Sequence, residues 1–405
     1  MRRVKTMHIG ILPACHLRSL PRQLATGNQA SIAPALPLEA SVSALFSEFE
    51  LGSGRGPLKL ANRIVVAPMC QYSCKDGMAD DWHLMHWGNL LNSGAGLFTI
   101  EATAVSERGR ITPGCLGIYS DATAHALGDR LGRARRLAPP VPVSIQIGHA
   151  GRKASSHVPW NSGKLIPQSE GGWWPEAPSA VPISEAEPAP QAISTADLDV
   201  ILKDFVRAAQ RVQDIGIEAI ELHGAHGYLL HEFLSPLSNQ RTDAFGGNFE
   251  NRIRFPLQVF EAVRQVYSGT LGIRLSATDW VEGGWTAEET ADFSLRLKQA
   301  GANFVHISTG GVSPLQKINL VPGYQVPYAK MVKEKSGLPT MAVGLITEPS
   351  HAESIIANQE ADLVALARSF LYNPRWAWAA AAELKGSVQA TPAYWRCMPR
   401  EAQHI

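Results

Sequence analysis

Residues 221–231 read ELHGAHGYLLH, placing two imidazoles three positions apart, His223 and His226, with the Tyr228 phenol two further on. Neutral imidazoles donate hydrogen bonds, two of them can start a metal site, and a phenol keeps a transferable proton at neutral pH. The same trio also fits a satisfied polar cluster. An apolar run, IEAIEL, precedes it and a polar stretch, SPLSNQRTDAFGGNFENR, follows, so the three side chains fall where a buried strand runs out. A zinc hydrolase needs several His and carboxylate ligands converging. Glu221 and Asp279 stand near other strand ends, but no further ligands join them. No metal is assigned, and zinc-dependent hydrolysis by His223 and His226 is kept as the alternative.

Eight short apolar or β-branched runs must position this chemistry: residues 63–69, 96–105, 142–148, 219–224, 271–277, 304–309, 339–345 and 363–369. They are continuously apolar, as strands buried on both faces are. Between them lie helical patterns. One runs from a capping Ser194 to Gly216, another from Thr286 to Gly301, and a shorter one covers 348–361. Alternating strands and helices predict the α/β class, and eight repeats predict a single (β/α)₈ TIM barrel over residues 44–405. A doubly wound sheet would carry a GxGxxG turn after its first strand, and RIVVAPM is not followed by one. Residues 150–193, rich in Pro, Gly, Ser and Trp, are expected as a loop-and-hairpin cover over the C-terminal face.

Barrel enzymes keep their chemistry at the C-terminal strand ends. Those ends carry Pro68, Met69 and Cys70, then Ala102, Gln146, His223 and His226, Arg274, Ser308 and Thr309, Gly344, and Ala367 with Arg368. This is an amide, a guanidinium, an imidazole pair and a phenol rather than a ligand cluster. Loops after the seventh and eighth strands commonly hold a phosphate, which backbone N–H groups at Gly344 and Ala367 and the Arg368 side chain would suit. Gln146 can both donate to and accept from the pyrimidine edge of a flavin, and a fixed cation such as Arg274 would stabilise charge on the reduced ring.

The charged fraction is 18%, below the usual quarter, and the net charge is +1, so no basic field draws nucleic acid or an anionic membrane. Neither partner is expected, and no apolar run is long enough to span a bilayer. Five scattered cysteines make no disulfide framework, which suits a reducing, cytoplasmic compartment. Residues 1–38 carry five basic residues and no acidic one, a composition shared with organellar transit peptides. A start placed too far upstream, with the native N-terminus near Val42, fits as well. Residues 1–43 are therefore set apart as an extension, disordered, transit-like or mis-assigned.

The motifs PMCQY, IQIGHAGRKA, ELHGAHGYLLHEFLSPLSNQRTDAFGGNFENR, NLVPGYQV and AVGLIT occur in this order. Together they resemble the Old Yellow Enzyme family, and more narrowly its thermophilic-like ene-reductases and xenobiotic reductases. The resemblance runs from about residue 44 to the C-terminus. It implies an FMN-containing barrel that reduces activated C=C bonds of unsaturated carbonyl or nitro compounds with NADPH as hydride donor. Ala67, Pro68, Met69 and Cys70 would line the flavin edge, and Ala102 and Gln146 would contact its ring. Arg274 would lie near N1, Thr309 and Gly344 would join the cofactor set, and Ala367 with Arg368 would hold the phosphate, where the family usually has Gly-Arg.

His223 and His226 match the pair that binds the substrate carbonyl oxygen, and Tyr228 the proton donor. Cys70 resembles a residue that tunes the flavin, and Tyr72 an additional substrate contact. Tyr394, Trp395 and Arg396 match a C-terminal segment that reaches a neighbouring active site in a homodimer or homotetramer, although here the chain continues past it. Arg241, Asp243 and Arg252 are expected to brace the loop after the fourth strand, Trp173 and Trp174 to pack in the cover, and His83 and His86 to lie on a helix. Flavoenzymes with an iron–sulfur cluster and extra nucleotide-binding domains fit less well, since this chain carries neither signature.

Overall fold

The computed structural model describes residues 43–52 and 54–397. The extension expected over residues 1–43 lies, Ser43 apart, outside them. Eight parallel strands close into a barrel: β1 (Ile64–Val66), β2 (Leu97–Ala104), β3 (Val143–Gly148), β4 (Ala219–Gly224), β5 (Thr270–Ser276), β6 (Phe304–Ser308), β7 (Thr340–Ala342) and β8 (Leu363–Leu366). β8 pairs with β1 through Ala365 opposite Val65, which closes the ring, so that every barrel strand has a neighbour on both sides. The predicted fold and all eight strands are present. The first, seventh and eighth are shorter than predicted, because their apolar runs continue past the last ladder pair into loop or, from Arg368, into a helix.

Each strand is followed by helix: α1 (Asp81–Leu91), α2 (Asp121–Arg135), α3 (Thr195–Asp214), α4 (Leu229–Leu234) and α5 (Phe249–Val266). Then come α6 (Ala287–Gln299), α7 (Val326–Ser336), α8 (Pro349–Ala357), α9 (Arg368–Tyr372) and α10 (Trp376–Leu384). The caps read from sequence hold. Ser194 Oγ accepts from the Asp197 N–H at 3.2 Å while the Asp197 carboxylate accepts from the Ser194 N–H, a reciprocal cap repeated at Thr286 and Glu289. Leu198, Ile201, Phe205, Ala209 and Val212 recur at three- and four-residue steps and are all buried against the barrel. Burying each large side chain contributes about 1.5–3 kcal/mol. His83 and His86 lie on α1, as expected.

An antiparallel hairpin, Phe49–Leu51 with Leu58–Leu60, belongs to the closed end of the barrel. Its Leu51 and Leu60 pack with Val65, Leu97, Phe304 and Leu363 in a separate cluster of buried residues. The cover over residues 150–193 departs from the predicted hairpin. Its two short strands, Glu176–Ala177 and Gln191–Ala192, pair in parallel, and an isolated antiparallel bridge joins Ser156 to Leu165. Trp173 anchors the cover by donating from Nε1 to the Arg108 carbonyl at 2.8 Å. Arg241 binds Asp243 at 3.0 Å, and Arg252 braces the same loop through the Gly247 carbonyl at 3.1 Å and the Leu234 carbonyl, while its charge is paired with Glu289 on α6. Among the described residues no helix is long and apolar enough to cross a membrane.

Candidate functional site

β4 delivers the opening trio to the barrel mouth. His223 is the strand's penultimate residue and is buried. The chain then turns through His226 at φ 60° and Gly227 at φ 73°, a left-handed pair that is costly at the non-glycine position. The turn is over-determined by its neighbours. The His226 N–H donates to Ser276 Oγ at 3.0 Å, the Lys153 ammonium donates to the His226 carbonyl at 2.7 Å, and the Gly227 N–H donates to Nδ1 of His231 at 2.9 Å. Gly311 is required here as well, since a Cβ on it would come within 2.5 Å of the His226 Cα.

The rings pack edge to face. Centroids lie 5.2 Å apart for His223 and His226 and 4.7 Å apart for His223 and Tyr228. Burial, then the nearby Arg274 cation, hold both histidines well below the usual imidazole range, so they are neutral. In His223, Nδ1 accepts from the Ala225 N–H at 3.2 Å, so the ring proton is on Nε2, which is left to donate elsewhere. His226 Nε2 lies 2.8 Å from Ser308 Oγ. Ser308 has one proton and two acceptors in reach, this nitrogen and Gln325 Oε1 at 3.2 Å. Thr309 already donates to Gln325 Oε1 at 2.8 Å, so Ser308 can donate to His226 and leave its Nδ1 protonated for an external acceptor. Burial pushes the Tyr228 phenol well above its ordinary value, so it keeps its proton.

The other predicted residues surround this trio. Ala67, Pro68, Met69 and Cys70 follow β1, and burial drives the Cys70 thiol well upward, making it a protonated soft contact rather than a thiolate. Tyr72, at φ 53°, meets Trp160 of the cover edge-on at 5.6 Å. Ala102 lines the same cavity as His223 and Tyr228. Gln146 on β3 and Arg274 on β5 are buried, and Nε of Arg274 has no partner among the described residues. Gly344 and Arg368 line a second cavity of about 500 Å³ between the ends of β7 and β8. Gly344 sits at φ 119°, and a Cβ there would strike the Gln325 amide at 2.6 Å. Ala367 has a negative φ of −109°, so the alanine in place of the family's glycine is not asked to adopt a left-handed backbone. Tyr394, Trp395 and Arg396 are exposed, with Tyr394 packed on Trp378 at 5.9 Å.

Sequence reasoning missed Ser276, Gln325, Lys153 and the His231–Asp279 contact, and it placed Ser308 at a strand end without its bond to His226. Gln325 and Lys153 lie within the motifs PGYQV and GRKA, but their roles depend on side chains distant in the chain. The two histidines do not form a ligand set. Nδ1 of His223 and Nε2 of His226 are engaged within the protein, and among the described residues no group of three or more His, Cys, Asp or Glu could hold a metal ion.

Residues 44–386 match the profile of the NADH:flavin oxidoreductase / NADH oxidase family. An NADPH dehydrogenase of Geobacillus thermodenitrificans is 42% identical over 341 residues, covering 84% of this chain and 95% of the relative. An NADPH dehydrogenase of Listeria innocua is 38% identical over 362 residues, covering 88% and 99%. Among solved structures, morphinone reductase in complex with tetrahydroNAD superposes with a TM-score of 0.68 at 25% identity, covering 86% of this chain and 93% of that one.

Proposed function

Because the chain belongs to the NADH:flavin oxidoreductase / NADH oxidase family, and is an FMN- and NAD(P)H-dependent oxidoreductase of Old Yellow Enzyme type, we propose that it reduces activated C=C bonds of small unsaturated carbonyl or nitro compounds. The hydrolase alternative has no support in these similarities. The residues at the mouth fit FMN. Gly344, Ala367 and Arg368 line a cavity suited to its phosphate, and Gln146 and the unpartnered Arg274 Nε suit its ring. The Ala67–Cys70 segment, Ala102 and Thr309 complete the proposed contact set. When bound, FMN would supply the hydride chemistry that couples oxidation of NADPH to reduction of the substrate alkene.

The protein's own residues do the rest. His223 Nε2–H and the Nδ1–H of His226 donate to the substrate oxygen, where negative charge grows as hydride arrives, so the bonds strengthen in the transition state. Neutral donors serve this better than imidazolium, because they need not be desolvated as charges. Tyr228 donates its proton to the α-carbon. Tyr72 and the Trp160 cover exclude water and contact the substrate. Tyr394, Trp395 and Arg396 would complete the site of a second copy in a homodimer or homotetramer, and deletion from Tyr394 onward should then raise the substrate KM.

The observation that carries this reading is the tautomer of His223, fixed by Ala225 with its donor left over, beside a phenol that holds its proton. The test is spectroscopic and chemical. The purified protein should show a flavin spectrum, gain a long-wavelength charge-transfer band with para-hydroxybenzaldehyde, and convert cyclohexenone to cyclohexanone at the expense of NADPH. An FMN-loaded protein that oxidises NADPH but leaves every enone and nitroalkene unreduced would overturn it.

A further inference from the structure

Beneath the mouth, β4 carries a carboxylate that the mechanism above does not use. Glu221 is buried on the barrel interior, opposite Gln146 in the β3–β4 ladder. Its Oε1 accepts from Gln146 Nε2 at 2.7 Å, and its Oε2 lies 2.8 Å from His306 Nδ1. Burial pushes the Glu221 carboxyl upward, but His306, Arg274 and Gln146 together outweigh it and hold the pKa below the usual glutamate value. The group is thus an ionised, acceptor-only carboxylate, and His306 must be the donor. Burial lowers His306 below the usual imidazole range against the opposing pull of Glu221, with Arg274 adding to the lowering. This layer of the interior therefore holds one negative charge, on Glu221, against one positive charge, on Arg274.

That arrangement has two consequences for a ring held by Gln146 and Arg274. One amide proton of Gln146 is committed to Glu221, which fixes the amide's orientation and leaves its carbonyl and second N–H to face another partner. A guanidinium with a buried carboxylate beside it also stabilises added negative charge less than a bare one, since in a low-dielectric interior the two fields largely cancel. We propose that Glu221 is a positioning and potential-setting residue, which orients the Gln146 amide and offsets the Arg274 charge so that bound FMN is kept harder to reduce. A lower potential makes the reduced flavin a stronger hydride donor to substrate, at the expense of its reduction by NADPH.

This inference rests on the reading of Gln146 and Arg274 as flavin contacts, and the experiment separates the two. The two-electron reduction potential of bound FMN is measured in the full-length wild type and in Glu221→Gln. This variant keeps the size of the side chain and one acceptor oxygen, removes the charge, and places an amide NH2 where the second carboxylate oxygen stood. The expected result is an FMN-loaded variant whose equilibrium constant for reduction rises at least tenfold, an upward shift of about 30 mV for a two-electron couple. Glu221→Asp, which keeps the charge, should return the potential most of the way to wild type, a rescue that a merely structural role would not give. If Glu221→Gln does not fold, Glu221→Asp alone still tests the proposal, because withdrawing the carboxylate from Gln146 should produce a smaller shift in the same direction.

A potential unchanged or lowered in every variant that binds FMN overturns the proposal. The underlying reading fails differently: Gln146→Leu and Arg274→Met would then retain FMN and its spectrum as tightly as wild type.

Discussion

The amide N–H of Ala225 donates to Nδ1 of His223 at 3.2 Å, and this bond decides what the imidazole can do. A neutral ring with its Nδ1 occupied as an acceptor must carry its proton on Nε2. His223→Ala removes that donor and should slow enone reduction roughly 10²–10³-fold, the usual loss for one oxyanion donor. It should weaken phenol binding in parallel. His223→Asn keeps a side-chain N–H and should lose less. Steady-state rates and phenol titrations on both variants check this, and an alanine variant with wild-type turnover would remove His223 from the mechanism.

Tyr228 meets His223 edge-on at 4.7 Å, and burial keeps its phenol protonated. Tyr228→Phe preserves the ring contact and deletes only the proton donor. The half-reaction with an enone should slow by roughly 10²–10⁴-fold, the range for general acid catalysis. Reduction of the flavin by NADPH should stay near wild type. Anaerobic stopped-flow traces resolve the halves, and a variant slowed in the NADPH half alone contradicts the proton-donor role.

His231 and Asp279 are completely buried and lie 2.9 Å apart. His231 Nδ1 accepts from the Gly227 N–H, and its Nε2 lies against Asp279 Oδ1, while the second oxygen of Asp279 accepts from Ser235 and the Trp285 N–H. The chain thus anchors the left-handed turn between His226 and Tyr228 to the loop after β5. His231→Leu leaves the Gly227 N–H and one Asp279 oxygen short of a neighbour and should cost roughly 1–3 kcal/mol of stability, the range for a buried polar group that loses its partner. Thermal or urea unfolding of the FMN-loaded protein measures it. An unfolding midpoint equal to wild type would mean the contact braces nothing.

The barrel was legible in the sequence because strands buried on both faces must be continuously apolar, and their helices carry Ser194- and Thr286-type caps that act locally. The histidines and Tyr228 were legible because one short stretch holds all three. What escaped was built across the barrel. Glu221 joins Gln146, 75 residues away, and His306, 85 residues away, and no local pattern encodes either contact. The left-handed φ of His226 was hidden for the same reason, since Ser276, Lys153 and His231 impose it from three other segments. The parallel pairing inside the cover was missed because two-residue strands carry too little alternation to show direction.

Stability toward acid follows from the buried histidines. His86 and His149 are pushed down to about 4, chiefly by burial, and His83, His223, His226 and His306 are lowered as well. An unfolded chain regains an imidazole pKa of about 6.5 and so binds more protons than the fold between that value and the folded one. Each such histidine contributes fully above about pH 6.5, and its contribution is lost as the pH falls. Glu101 and Glu232 act in the opposite sense. Burial raises both to about 8, so their stabilising effect is present below the ordinary glutamate pKa of about 4.3 and is lost as the pH rises through about 8. From pH 6.5 down to about 4.5, six histidines losing ground outnumber four carboxylates recovering it, Glu101 and Glu232 together with Glu176 and Asp204, which burial also raises. The melting temperature of the FMN-saturated protein should therefore fall across that window, with net proton uptake on unfolding. Calorimetry in buffers of different ionisation enthalpy measures both quantities. A melting temperature that rises on acidification, or proton release on unfolding, would show that the buried imidazoles are already charged in the fold, and neutral donors at His223 and His226 would be lost with them.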